Sequence, residues 1–140
     1  MQHQPIYIER LGFTTPEEIW KITTPDRFLA YYNVLYESLF SSIFEACSRQ
    51  RLKDTGVDGR VTHTCSILDL KDVKLSQANA AYKFVKPAAE MAQNNYPEML
   101  GNMFIINAPF LFTGIWAIIK MWIDDKTREK IHILGSSYKK

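Results

Sequence analysis

Three side chains in the second half of the chain, Glu98, Thr127 and Lys130, have the types needed to hold a polar ligand. A carboxylate, a hydroxyl and an ammonium together can accept from and donate to several hydroxyls of a polyol, or to a phosphate oxygen. Thr127 and Lys130 stand three apart in a charged helical turn, DDKTREK, and so share one face. From spacing alone the set reads equally well as a surface ion pair of negligible energy. A second group is written into VTHTCSILDL, residues 61–70. In a strand, side chains alternate, so Thr62, Thr64 and Ser66 share one face and His63, Cys65, Ile67 and Asp69 the other. A hydroxyl row is unusual in a buried strand, where Val and Ile are expected on both faces. Buried hydroxyls need partners, either neighbouring backbone or a polar ligand.

Other chemistry finds little support. His63 and Cys65 on one strand face suggest a nucleophile pair or a metal corner, but nothing supplies further ligands and His132 stands alone, so packing is the expected role. Gly135-Ser136-Ser137 after a strand is weak evidence for a phosphate loop. The sequence contains no GxGxxG, GxxxxGK[ST] or GxSxG, so dinucleotide, P-loop and α/β-hydrolase chemistry lack their motifs.

The elements that must position these groups are legible as periodicity. A strand over 5–11 (PIYIERL) ends at Gly12, and Thr15-Pro16-Glu17-Glu18 forms a capping box for a short helix. Thr24-Pro25-Asp26 restarts a helix reaching about Arg51. Phe28, Tyr32, Leu35, Leu39 and Ile43 form one stripe of it, with Leu29, Tyr36, Phe40, Phe44 and Cys47 beside them. Residues 49–60 (RQRLKDTGVDGR) read as a solvated, mildly basic loop that acidic membrane would also suit. After the strand over 61–70, Ser76 caps a helix with Ala78, Ala81, Tyr82, Val85, Ala89 and Ala92 on its packing face, which Pro87 should kink or split. A strand over 102–107 leads into a helix over 110–122 that is apolar nearly all round, so either buried or against lipid. A last strand covers 131–134. The order β-α-α-β-α-β-α-β predicts an α/β sheet with right-handed crossovers.

Size and composition agree. A chain of 140 residues predicts one domain, and 46% hydrophobic with 13% aromatic residues supplies a core. A net charge of +2, from 17 basic and 15 acidic residues, does not point to nucleic acid. Two cysteines without CxxC spacing suggest a reducing, intracellular setting, and the first residues lack the features of a secretory leader. The apolar run over 104–123 has about the roughly 20 residues a membrane helix requires. Asn107-Ala108-Pro109 interrupts it, however, so a strand followed by a helix is expected rather than a membrane span.

Several stretches together resemble a known family: PIYIERLG around Tyr7, LYES around Tyr36, Ala46-Cys47-Ser48-Arg49, THTCSILDLK over 62–71, QNNYPEMLG over 93–101, FIINAPF over 104–110 and KIHILGSSY over 130–138. They are similar to the CRAL-TRIO lipid-binding domain, most of all to the fungal phosphatidylinositol/phosphatidylcholine transfer proteins. The resemblance covers nearly the whole chain. It implies a mixed, mainly parallel sheet flooring an apolar lipid pocket covered by helices. The implied activity is phospholipid exchange between membranes without covalent chemistry, hence no enzyme and no cofactor beyond a bound phospholipid. It also implies a cytoplasmic protein in peripheral contact with Golgi and endosomal membranes. Position by position, the resemblance places Glu98, Thr127 and Lys130 on the inositol phosphate headgroup. Thr64 and Ser66 fall near the phosphatidylcholine phosphate, and Tyr7 and Tyr36 near the choline.

Relative to that pattern, residues 1–140 read as a partial domain, from which the N-terminal helical layer and the C-terminal gate helix and closing segment are expected to be absent. Residues 51–60 look like a longer connection, and Pro87 interrupts a helix that normally runs through. A competing reading is a truncated regulatory module that docks on membranes or partners without closing a pocket. A small phosphate-ester hydrolase using His63 or Cys65 is a third.

Overall fold

A computed structural model describes residues 3–13, 15–74, 76, 78–110, 112–135 and 138. Four strands, β1 (Ile6–Arg10), β2 (Thr64–Asp69), β3 (Leu100–Ile106) and β4 (Ile131–Ile133), lie side by side in the order β1-β2-β3-β4. Every pairing between them is parallel. Helices make the crossovers: α1 (Pro16–Ile22), α2 (Pro25–Ser38) and α3 (Phe44–Thr55) before β2, α4 (Ala78–Asn95) before β3, and α5 (Phe112–Ile119) and α6 (Asp125–Glu129) before β4. The expected α/β architecture is therefore present, and the apolar run over 104–123 is strand, turn and helix. Among the described residues, no helix is long and apolar enough to cross a membrane.

Register shows which sheet face the helices cover. Glu9 stands beside Leu68, and Leu68 beside Ile105, so these three share a face. On that face Tyr32 of α2 reaches Glu9, while Phe112 of α5 packs with Leu70 and Ile105 against Leu68, Met103 and Ile131. Ile6 and Ile8 point to the opposite face and remain 64% and 61% exposed. A parallel sheet is normally covered on both sides, so these two exposed isoleucines on the edge strand are a departure.

Local signals explain most boundaries. The Thr15 hydroxyl accepts from the Glu18 amide at 3.2 Å, and the Glu18 carboxylate accepts from the Thr15 amide at 2.9 Å, which completes the capping box. β1 ends at Arg10 and passes into a 3-10 turn, Leu11–Phe13, where a Cβ on Gly12 would lie 1.8 Å from the Lys71 carbonyl oxygen, a space only glycine leaves free. α2 and α3 form one helical rod through a wider π turn, Leu39–Ile43, where the Ser38, Ser41 and Ser42 hydroxyls donate to backbone carbonyls.

Several expectations need correction. Residues 49–55 are helical rather than loop, supported by Arg49 to Glu45 at 2.7 Å and Gln50 to Asp54 at 2.8 Å. The stop comes at Gly56, whose φ of 69° closes the helix in the left-handed region. β2 begins at Thr64, so Thr62 and His63 precede it and Thr62 is exposed. α4 runs through Pro87 without a break. Its inward face carries Phe84, stacked on Trp20 at 3.8 Å and edge-on to Phe28, while Tyr82 and Val85 are 42% and 38% exposed. Trp20 and Phe28 supply a flat aromatic surface that outweighs the alanine spacing. The side chains of Ala78 and Ala81 lie outside the described residues. So do Ser136 and Ser137 of the glycine-serine turn. The helix after β3 is shorter than expected, and it is neither fully buried nor fully exposed: Phe112 is buried, whereas Ile118 is 46% exposed.

Candidate functional site

Glu98 sits in the turn between α4 and β3, and its φ of 60° lies in the left-handed region. A glutamate there carries a backbone cost of about 1–2 kcal/mol, which the surroundings must impose. Two contacts do so. The carbonyl of Met99, itself buried, accepts from the Thr64 amide at 2.8 Å and from the Thr64 hydroxyl at 3.3 Å. Tyr96, two residues before Glu98, stacks on Tyr36 of α2 at 4.6 Å and donates its hydroxyl to Glu37 at 2.9 Å. So held, the Glu98 carboxylate accepts from Lys130 Nζ at 3.1 Å. That hydrogen bond and the lysine charge hold the Glu98 carboxyl below its usual range.

Lys130 closes α6, and its amide donates to the Thr127 carbonyl at 3.1 Å. Thr127 bonds within its own turn. Its amide donates to Asp124 Oδ1 at 2.9 Å, and hydrogen bonding from Thr127 keeps the Asp124 carboxyl low. Gln93 pins the start of this turn, accepting from the Asp124 amide and donating to the Trp122 carbonyl at 3.0 Å. Of the three residues, Glu98 and Lys130 meet, while Thr127 is a neighbour engaged with its own cap.

The tyrosines form a second cluster around a residue the sequence reading passed over. Tyr7 donates to Glu9 Oε2 at 3.2 Å, and Tyr32 donates to Glu9 Oε1 at 3.1 Å. Burial pushes both phenols far above the ordinary tyrosine value, with the Glu9 charge adding to it. Tyr36 is pushed up by burial first and by Glu9 second. Strand alternation puts Glu9 on the Tyr7 face, and that was the available signal: one acidic side chain on the inward side of a strand. Ser66 stands in register with Tyr7, and Thr64 and Ser66 are each 8% exposed. Two of the three hydroxyls, Thr64 and Ser66, are therefore buried, and the Thr64 hydroxyl donates to the Met99 carbonyl.

The His63–Cys65 pair does not assemble. His63 Nδ1 lies 3.1 Å from the Thr62 hydroxyl, and His132 pairs with Asn102 and stacks on Phe104.

What this arrangement offers is an ion pair at the N-terminal edge of the sheet, joined by the Tyr36–Tyr96 stack to an aromatic, hydroxyl-bearing group on the helix-covered face. The chain is 42% identical over 137 residues to the SEC14 cytosolic factor of Yarrowia lipolytica, covering 97% of this chain and 26% of that protein. It is 37% identical over 136 residues to the Sec14 cytosolic factor of Schizosaccharomyces pombe, covering 97% and 46%. Identity is also 37% over 136 residues to the phosphatidylinositol/phosphatidylcholine transfer protein SFH12 of Arabidopsis thaliana, covering 96% and 24%. The chain thus spans from about a quarter to just under half the length of these relatives. The crystal structure of Sfh5 superposes with a TM-score of 0.74 at 20% identity, over 95% of this chain and 43% of that one, a likeness of fold. With the CRAL/TRIO domain profile matching residues 1–140, the chain belongs to the CRAL/TRIO domain family.

Proposed function

We propose that this chain is the lipid-binding part of a phosphatidylinositol/phosphatidylcholine transfer protein. It would work by differential binding without bond making, in the cytoplasm and in peripheral contact with Golgi and endosomal membranes. The observation that carries the reading is the Glu98–Lys130 pair at 3.1 Å, built by a strained turn and a helix end that have no other evident use for it. An exposed carboxylate and a partly exposed ammonium separate at small cost, and each then offers its hydrogen bonds to inositol hydroxyls or a phosphate. Thr127 stands beside them for the same headgroup. Tyr7, Tyr36, Thr64 and Ser66 would face the choline phosphate. The apolar, exposed Phe110, Ile118 and Met121 around α5, 89%, 46% and 70% exposed, suit contact with a bilayer surface.

Lipid mass spectrometry of the purified chain, with and without exposure to mixed vesicles, tests this. Phosphatidylinositol and phosphatidylcholine should be retained. Glu98→Ala and Lys130→Ala should lower phosphatidylinositol uptake severalfold more than phosphatidylcholine uptake. A chain that carries and extracts no phospholipid would leave the docking-module reading in place of transfer.

A further inference from the structure

The Gln93 side chain ties together the two elements that deliver Glu98 and Lys130. It stands near the end of α4, the helix that runs into the Glu98 turn. Its amide nitrogen donates to the Ala89 carbonyl of the same helix at 3.2 Å and to the Trp122 carbonyl at 3.0 Å. Its amide oxygen accepts from the Asp124 backbone N–H at 3.3 Å. Only one placement of the amide oxygen and nitrogen fits these neighbours, because a backbone carbonyl needs a donor and a backbone N–H an acceptor. Both amide protons are thereby spent on backbone.

Trp122 and Asp124 belong to the segment that starts α6. The Asp124 carboxylate caps that helix by accepting from the Thr127 amide at 2.9 Å, and Lys130 closes the other end. α6 has five residues, too few to hold its orientation by internal bonds alone. Its Lys130 end is tied to the sheet, where the Met103 amide donates to the Lys130 carbonyl at 2.8 Å. At its start, the Trp122 ring meets Tyr82 of α4 edge-on at 4.5 Å. A ring contact sets distance but lets the backbone turn beneath it. Two directional hydrogen bonds, to Trp122 and to Asp124, fix that rotation. The direction in which Lys130 leaves the backbone follows from it, and Lys126 and Asp124, whose charges also act on Glu98, turn with the same short helix.

From this geometry we infer that Gln93 is the positioning residue of the Glu98–Lys130 pair, orienting α6 so that the pair is set for an inositol phosphate headgroup. The headgroup half of the inference rests on the lipid-binding reading above, and the positioning half stands without it.

Two variants test this. Gln93→Met keeps the length of the side chain and removes every hydrogen bond, and Gln93→Asn leaves an amide one methylene short of the turn. The first readout needs no lipid: the Glu98 carboxyl is titrated by NMR through its side-chain carbon. In the parent chain Lys130 holds that carboxyl below its ordinary range. In both variants it should move back up toward the ordinary range, further in Gln93→Met. An unmoved Glu98 titration in a folded variant would overturn the inference. Should Gln93→Met fail to fold, Gln93→Asn carries the same comparison. The second readout is uptake from vesicles containing phosphatidylinositol and phosphatidylcholine, quantified by mass spectrometry. Phosphatidylinositol uptake should fall about fivefold in Gln93→Met, while phosphatidylcholine uptake stays within about twofold. Equal falls in both lipids would make Gln93 a general support of the fold and overturn its positioning role. A released Glu98 with undiminished phosphatidylinositol uptake would overturn the headgroup half. Failure of the unaltered chain to retain phosphatidylinositol would remove the functional reading beneath that half, and the Glu98 titration would still decide the other.

Discussion

The two acidic side chains around which this chain arranges its polar chemistry are built in opposite ways. Glu98 is exposed, paired with a lysine, and mounted on a strained turn at the edge of the sheet. Glu9 is half-buried, held by two phenols, and mounted on a regular strand in the middle of an aromatic group. Water screens the first, so its ion pair is worth little and can be exchanged for ligand hydrogen bonds at small expense. The second is fixed before any ligand arrives. The difference sets an exchangeable ion pair at the end of the strands against a preformed, phenol-held charge on the sheet face. The Tyr36–Tyr96 stack is what joins them.

The comparison breaks most severely at that stack. Tyr36 packs against the cluster of Phe44, Val61 and Met99 as well as on the Tyr96 ring. Tyr36→Ala should lower unfolding free energy by about 2 kcal/mol, read from denaturant midpoints, because it removes a partly buried ring packed on the core. Uptake of both phosphatidylinositol and phosphatidylcholine should fall together, since both groups lose their support. Tyr36→Phe keeps the ring and should retain most of the stability. Loss of only one lipid in Tyr36→Ala would show the two regions to be independent.

A smaller break lies at Thr64. Its hydroxyl donates to the Met99 carbonyl beside the Glu98 turn. Thr64→Val keeps the shape and removes the donor, leaving a buried carbonyl with one partner fewer. The expected loss is about 1 kcal/mol in thermal unfolding. If Thr64 acts mainly by positioning Glu98, phosphatidylinositol uptake should suffer more than phosphatidylcholine uptake. The reverse order would assign the hydroxyl to the choline phosphate.

How much of this was legible beforehand differs between the two regions for a physical reason. The strands, their order and the capping box at Thr15 are local patterns, and periodicity shows them. Glu98 and Lys130 were recognisable as chemical types, but their meeting depends on a left-handed turn whose cause, the Thr64–Met99 bond, spans two strands. Strand alternation put Glu9 on the Tyr7 face, but its partner Tyr32 lies on a separate helix, so the strand pattern alone does not show that pairing. The helix through residues 49–55 was misread because its polarity resembles a loop, although the i, i+4 pairs Glu45–Arg49 and Gln50–Asp54 were visible in the sequence. Phe84 was missed because aromatic stacking with Trp20 overrode an alanine stripe.

Alkaline titration sharpens the same contrast. Tyr7 and Tyr32 have folded pKa values raised above the ordinary tyrosine value of about 10. A raised value means that the folded state holds the proton more tightly than the unfolded one. The stabilisation is then complete below the unfolded pKa and is lost as pH rises through it towards the folded value. Tyr36 and Tyr96 are raised as well, so absorbance titration should show four of the seven tyrosines ionising late, Tyr7 and Tyr32 together with unfolding. Glu9→Gln should bring both back toward the ordinary range, though not fully, since burial is the larger cause.

The smallest expected effect belongs to Glu98. The carboxylate is 64% exposed and Lys130 26% exposed, and both lose rotamer freedom in making the pair. Glu98→Gln should therefore change thermal stability near neutral pH by less than about 0.5 kcal/mol. The Glu98 pKa is depressed by Lys130, so the contribution it does make exists above the ordinary carboxylate range and disappears as pH falls through the lowered folded value. The small gap between the parent chain and Glu98→Gln should thus close in acid, which paired melting curves across that range would measure. A gap that stayed constant would mean that shape or backbone strain at the turn, rather than charge, sets the difference. Because so little folding energy rides on this pair, any loss of phosphatidylinositol uptake in Glu98→Gln reports on the headgroup itself, a separation that the buried Glu9 cluster does not allow.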